Sequence, residues 1–173
     1  MADKTPERLE WAAATLAPGP ADHILEVGCG HGVLLSLLAE RLTTGTITAI
    51  DRSDKMVAAA RARNAGHIAS GKIAIRQAEL ASADFGGKTF DRILAVNVNL
   101  FRLKPARELA ALRRLIDAEG KLFLFFEPPS PAQAEPIAEK LAANLEANGF
   151  RVAHKTFIVL GSAQGVCIVA NPA

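Results

Sequence analysis

An apolar run that ends in an acid and then turns through three glycines constrains this chain more than any other feature. Ile24-Leu25-Glu26-Val27 leads into Gly28-Cys29-Gly30-His31-Gly32, and Val33-Leu34-Leu35-Ser36-Leu37-Leu38 follows. This order predicts a strand, a tight loop and the first turns of a helix. Glycine at alternate loop positions lets the backbone turn sharply and lets free amides approach a ligand that a Cβ would displace. Nineteen residues after Gly32 a second short strand, Thr46-Ile47-Thr48-Ala49-Ile50, ends in Asp51. A carboxylate there can accept two hydrogen bonds from vicinal ribose hydroxyls; its other use is as an ordinary turn or helix-cap acid.

The rest of the chain reads as one sheet built around that loop. Thr5-Pro6-Glu7 predicts a helix start, with Thr5 as cap, and Pro18-Gly19-Pro20 stops the helix. Strands follow at 22–27, 46–51, 73–75 and 90–96, with helices at 32–42 and from Ser53 to about Gly66. The stretch 81–88 reads as loop or a single helical turn. Lys104-Pro105 opens a helix that closes near Glu119-Gly120, and Leu122-Phe123-Leu124-Phe125-Phe126 is a near-continuous apolar strand suited to a sheet covered on both faces. A long helix reaches Asn148-Gly149. Two last strands, near 151–159 and 165–170, are separated by too few residues for a crossover helix and predict an antiparallel edge hairpin. Strand and helix alternate, so the fold class is α/β with a doubly wound sheet. Ligands of such sheets bind beyond the carboxyl ends of the strands. That rule selects Glu26–Gly32, Asp51-Arg52, Asn97–Leu100 and Glu127–Ser130.

Composition removes several classes of function. With 173 residues and no linker or repeat, residues 1–173 form one domain, residues 1–20 being a short helical extension. A net charge of +2 with no basic stripe argues against nucleic acid, and the absence of Tyr removes tyrosine chemistry. Cys29 and Cys167 lack companion ligands at metal-binding spacing, so no metal site and a reducing, cytoplasmic setting are expected. The start Met1-Ala2-Asp3-Lys4-Thr5-Pro6 is polar, unlike a signal peptide, and no stretch is long enough to span a bilayer.

Charge then narrows the ligand. The sixth position of a dinucleotide loop needs glycine, and Val33 stands there. Glu26, immediately before the turn, would repel a pyrophosphate but favour an ammonium or sulfonium. S-adenosylmethionine carries both cations, a ribose and no phosphate. The stretch Leu25–Gly32 resembles the first motif of class I S-adenosylmethionine-dependent methyltransferases, an acid followed by x-G-x-G-x-G. The resemblance continues through Ala49-Ile50-Asp51-Arg52-Ser53, Lys55-Met56 and Phe90-Asp91-Arg92-Ile93. It implies a Rossmann-like seven-stranded, mostly parallel sheet of order 3-2-1-4-5-7-6 with strand 7 antiparallel. It also implies that Glu26 meets the methionyl amino group, that Gly28, Cys29, Gly30, His31 and Gly32 line the cofactor, and that Asp51 holds the ribose. Arg52 and Met56 would lie beside the adenine. Glu79 and Leu80 replace the usual third-strand ending, with Glu79 the candidate for the adenine amine.

The acceptor end is sparser. Asn97 and Asn99 end the fourth strand and Glu127 the fifth, which makes them the candidate catalytic residues. Asn97 would orient cofactor or substrate, Asn99 would face the acceptor, and Glu127 would act as base or cation-binding carboxylate. The Asn-Pro-Pro-aromatic pattern of exocyclic-amine base methyltransferases is absent; Pro128-Pro129 follows the fifth strand instead. The expected function is methyl transfer to a small molecule by a monomer or homodimer. Insertions that would build a substrate lid are minimal, so the site is open or closed by a second subunit or partner. The competing readings are a protein side chain as acceptor, a silent cofactor-binding module, and a nicotinamide oxidoreductase, the last disfavoured by Glu26 and Val33.

Overall fold

The structure, a computed structural model, describes residues 5–103 and 105–173. The polar start Met1–Lys4 and the expected helix opener Lys104 lie outside the described residues. Strands β1 (His23–Val27), β2 (Thr46–Asp51), β3 (Ile73–Gln77), β4 (Phe90–Val96), β5 (Ile116–Phe126), β6 (Phe150–Leu160) and β7 (Ala163–Pro172) form one sheet. Its order is β3-β2-β1-β4-β5-β7-β6. The pairs among β1 to β5 are parallel, and β7 runs antiparallel to β5 and β6. The expected topology is the observed one.

Period-two alternation decides what each face buries. On β5, Phe123 and Phe125 join one core, whereas Leu122, Leu124 and Phe126 join the other. The first core is covered by α1 (Glu7–Leu16), α2 (Val33–Ala39) and α3 (Asp54–Arg63). The second is covered by α6 (Pro105–Leu115) and α7 (Ala134–Ala147). Helix α1 is pinned by Trp11, whose ring meets Phe125 edge-on at 5.3 Å. Gly165 makes room for it, since a Cβ there would lie 2.8 Å from the indole. The N-terminal turn of α1 is thereby held beside the carboxyl ends of the central strands.

Several boundaries differ from expectation. Pro6, not Thr5, occupies the cap position of α1, with no side-chain cap bond. The second long helix divides into α3 and a short α4 (Ala65–Ala69), and a one-turn α5 (Leu100–Leu103) follows β4. Helix α6 ends at Leu115 instead of Gly120. Ile116 pairs with Phe90, and the register slips before Lys121 pairs with Arg92, so residues 117–120 bulge. Gly120 belongs to that bulge: a Cβ would meet the Ile116 side chain at 2.8 Å and the Phe90 carbonyl at 3.0 Å. The final hairpin turns on Gly161-Ser162 alone, because Leu160 pairs with Ala163.

Candidate functional site

The glycine loop is fastened from below by β2. The Gly28 and Cys29 amides both donate to the Ile50 carbonyl, at 2.8 and 3.1 Å. The Gly30 amide donates to Asp51 Oδ2 and the Ser53 amide to Asp51 Oδ1, each at 2.9 Å. Asp51 therefore shapes the loop and opens α3, while each oxygen keeps a lone pair for a further donor. Gly32 has φ +73°, and a Cβ on it would lie 2.7 Å from Asn64 Nδ2 and 2.9 Å from the Ala60 side chain. Buried Asn64 fills that contact, donating to the Gly32 and Ala60 carbonyls and accepting from Ser36 Oγ at 2.8 Å. It locks loop, α2 and α3 together.

Two cavities of about 520 Å³ each open on either side of Gly28, Val96 and Asn97. The first is walled by Asp51, Arg52, Ala78, Leu80, Val98 and Leu100, with Asn99 at its edge. Its wall is largely apolar, with the Asp51 carboxylate on one side. The second cavity is walled by Glu26, Cys29, His31 and Gly30, together with Arg63 and the start of α1, Thr5 to Leu9. Val98 rests on Gly28, where an added Cβ would come within 2.7 Å of its methyl group.

Glu26 is the electrostatic centre of the second cavity. It is 3% exposed, and its Oε2 has no hydrogen-bond partner among the described residues. Burial and then the nearby Asp51 charge push its pKa up to about 8. A buried, unpartnered carboxyl at a cavity wall calls for a cation. Burial, then Glu26 and Asp51, likewise push the Cys29 thiol up to about 12, leaving it unreactive.

With this geometry in place, the relatives are informative. Residues 24–120, more than half of the chain, match the family described as "Methyltransferase domain". The chain belongs to that methyltransferase-domain family. It is 33% identical over 120 residues to nocamycin O-methyltransferase of Saccharothrix syringae, covering 68% of this chain and 42% of that protein. The chain spans between about a fifth and two fifths of the length of the curated relatives it matches. Among solved structures it resembles the glycopeptide N-methyltransferase MtfA complexed with sinefungin, with TM-score 0.79, 18% identity and coverage of 99% and 95% of the two chains. Magnesium protoporphyrin IX methyltransferase from Synechocystis PCC 6803 with bound SAM has TM-score 0.75, 21% identity and coverage of 97% and 79%.

Within this methyltransferase domain the expected site residues divide into two groups. Glu26, Gly28, Cys29, Gly30, His31, Asp51, Arg52, Leu80, Asn97 and Asn99 line the cavities. Gly32, Met56, Glu79 and Glu127 line neither. Gly32 is required by packing, and the Met56 amide closes the start of α3 on Ser53 Oγ at 3.3 Å. Glu79 is exposed, its place in the first cavity being taken by its neighbours Ala78 and Leu80. The Glu127 amide donates to Asn97 Oδ1 at 2.8 Å. Asn97 adopts φ +56°, a left-handed backbone that asparagine tolerates better than most residues, and so clips the ends of β4 and β5 together. Sequence reasoning missed Arg8, Arg63 and Asn64, whereas Val98 fell inside the selected strand end Asn97–Leu100 without a role of its own.

Proposed function

We propose that the protein binds S-adenosylmethionine across the two cavities and transfers its methyl group to a small-molecule acceptor. The observation that carries this reading is Glu26, a buried carboxyl without a partner beside a glycine loop held by Asp51. Glu26 would pair with the donor's ammonium group, and Asp51 with the ribose hydroxyls. Ala78, Leu80 and Leu100 would sandwich the adenine. When bound, the cofactor supplies a methyl group on a sulfonium, a leaving group that needs little covalent help. The chain's own contribution is then orientation and exclusion of water. Asn97, shared by both cavities, is suited to orient the reacting groups, and its clip on Glu127 keeps the end of β5 in register.

A small acceptor is favoured by the size of the second cavity. No helix among the described residues is long and apolar enough to cross a membrane. Two buried free cysteines suit a reducing, cytoplasmic setting. Calorimetry with S-adenosylmethionine and S-adenosylhomocysteine is the direct test, with one site expected. Folded protein that binds neither would refute the proposal. A protein that binds both yet methylates nothing in metabolite or protein extracts would be a binding module instead.

A further inference from the structure

We infer that the acceptor is a small carboxylate methylated on oxygen, selected by the guanidinium pair Arg8 and Arg63; this rests on the proposed use of S-adenosylmethionine. The first observation is a surplus of cations. Among the described residues, two guanidinium groups, Arg8 and Arg63, line the second cavity against one carboxyl, Glu26. Half-buried Arg8 makes no hydrogen bond or ion pair among the described residues. Arg63 donates Nε to the His31 carbonyl at 3.2 Å, and its terminal nitrogens have no partner among the described residues. The first cavity, by contrast, balances Arg52 with Asp51.

The methyl donor sharpens the imbalance. Its ammonium matches Glu26 and its carboxylate matches one guanidinium, which leaves the sulfonium and the second guanidinium unmatched. Like charges brought together repel, and with Arg8 half-buried and Arg63 exposed, solvent screens part of that repulsion and leaves the rest. A neutral or cationic acceptor leaves that repulsion in place, whereas an anionic one removes it.

The second observation concerns the proton. An amine or hydroxyl acceptor must lose one during transfer. Among the described residues, Glu26 and Asp51 are the only carboxylic acids lining either cavity, and the proposed donor would engage both. Glu127, the other candidate base, lines neither, which leaves exposed His31 as the remaining proton acceptor in the linings. A carboxylate arrives already ionised. One of its oxygens forms the new C–O bond while the donor's S–CH3 bond breaks. The bonding pair stays on sulfur, and the products are a neutral methyl ester and a neutral thioether. No proton moves.

The donor also carries a carboxylate, so the experiment separates the two sources. Wild type, Arg8→Gln and Arg63→Gln are titrated with S-adenosylhomocysteine and with 5′-methylthioadenosine, which lacks the amino-acid end. Protein saturated with S-adenosylhomocysteine is then titrated with C4–C16 monocarboxylates, C4–C6 di- and tricarboxylates, and the primary amide of each. The saturated wild type is expected to prefer carboxylates over their amides by at least about tenfold. One arginine variant should lose that preference while holding S-adenosylhomocysteine as before. The other should lose S-adenosylhomocysteine but keep methylthioadenosine. Methyl label transferred to a bound carboxylate should be released by mild base, as an ester requires. Equal binding of amides, base-stable label, loss of turnover in His31→Ala with binding intact, or two variants that both affect only S-adenosylhomocysteine would each overturn the inference. Wild type that binds neither adenosine ligand would instead sink the underlying function.

Discussion

Glu26 ties the chemistry of one side chain to the stability of the whole chain. Its pKa rises from 4.5 to about 8 in the native state, so the native protein holds a proton that the unfolded chain releases. Stability from this group is full below about pH 4.5, falls as pH rises towards 8 and is flat above it. Each pH unit across that window costs about 1.4 kcal/mol. Thermal melts of the ligand-free protein between pH 5 and 8 should show this slope, and Glu26→Gln should flatten it. The same residue should make donor binding proton-linked. Calorimetry at pH 7 in two buffers of different ionisation enthalpy should record close to one proton released per S-adenosylhomocysteine bound, and none in Glu26→Gln. Asp51 fastens the glycine loop and the start of α3, and on the proposed function it also meets the ribose. Asp51→Ala frees the Gly30 and Ser53 amides and should cost about 1–3 kcal/mol in denaturant melts. Ligand affinity should fall further still when measured on the fraction that remains folded. A loss of stability with unchanged affinity would assign Asp51 to the loop alone.

At the scale of elements, the glycine loop is held by packing as much as by hydrogen bonds. Gly32→Ala combines a left-handed backbone with a collision against Asn64 and Ala60. A loss of about 2–3 kcal/mol is expected. Because Asn64 supplies one side of that collision, Gly32→Ala should cost less in an Asn64→Ala background, and denaturant melts of the four proteins measure the coupling. Helix α1 depends on Trp11. Trp11→Ala should cost about 2–3 kcal/mol and should raise hydrogen exchange in residues 7–16 more than in β1 or β5. Elements also mark where sequence patterns mislead. Leu115-Ile116 fits a helical stripe and a strand equally well, and Gly120 reads as a helix stop. Pairing of Ile116 with Phe90 decides for the sheet, and the glycine serves a bulge. Arg8 and Arg63 were illegible for another reason. A basic residue near a helix end is ordinary on a solvated face, and only the convergence of α1 with the end of α3 brings the two to one cavity.

For the whole molecule, the sheet was legible because its alternating strands and helices admit few windings, and because the loop and Asp51 select one family of them. Side-chain direction at strand ends was not legible. Glu127 follows β5 in sequence, but the Asn97 clip and the path of the chain after it decide what it faces. The two cores lie on opposite sides of one sheet and share β1 and β5, where neighbouring residues such as Ile24 and Leu25 serve opposite faces. Unfolding should therefore be a single transition, with Trp11 fluorescence and far-ultraviolet circular dichroism superimposing in urea.

The position of α1 has a consequence for how such a chain changes its chemistry. The stretch that matches the methyltransferase family begins at Ile24, after α1 has ended, yet Thr5, Arg8 and Leu9 wall the second cavity. The glycine loop, Asp51 and the apolar wall of the first cavity are all encoded downstream of that wall. On the proposed function, a substitution at Thr5 or Leu9 can therefore alter which molecule is admitted while leaving Glu26, Asp51 and the guanidinium pair in place, provided Trp11 still anchors the helix. On that reading, choice of acceptor is physically detachable from possession of the donor site, and the short segment around α1 is where it can be rewritten.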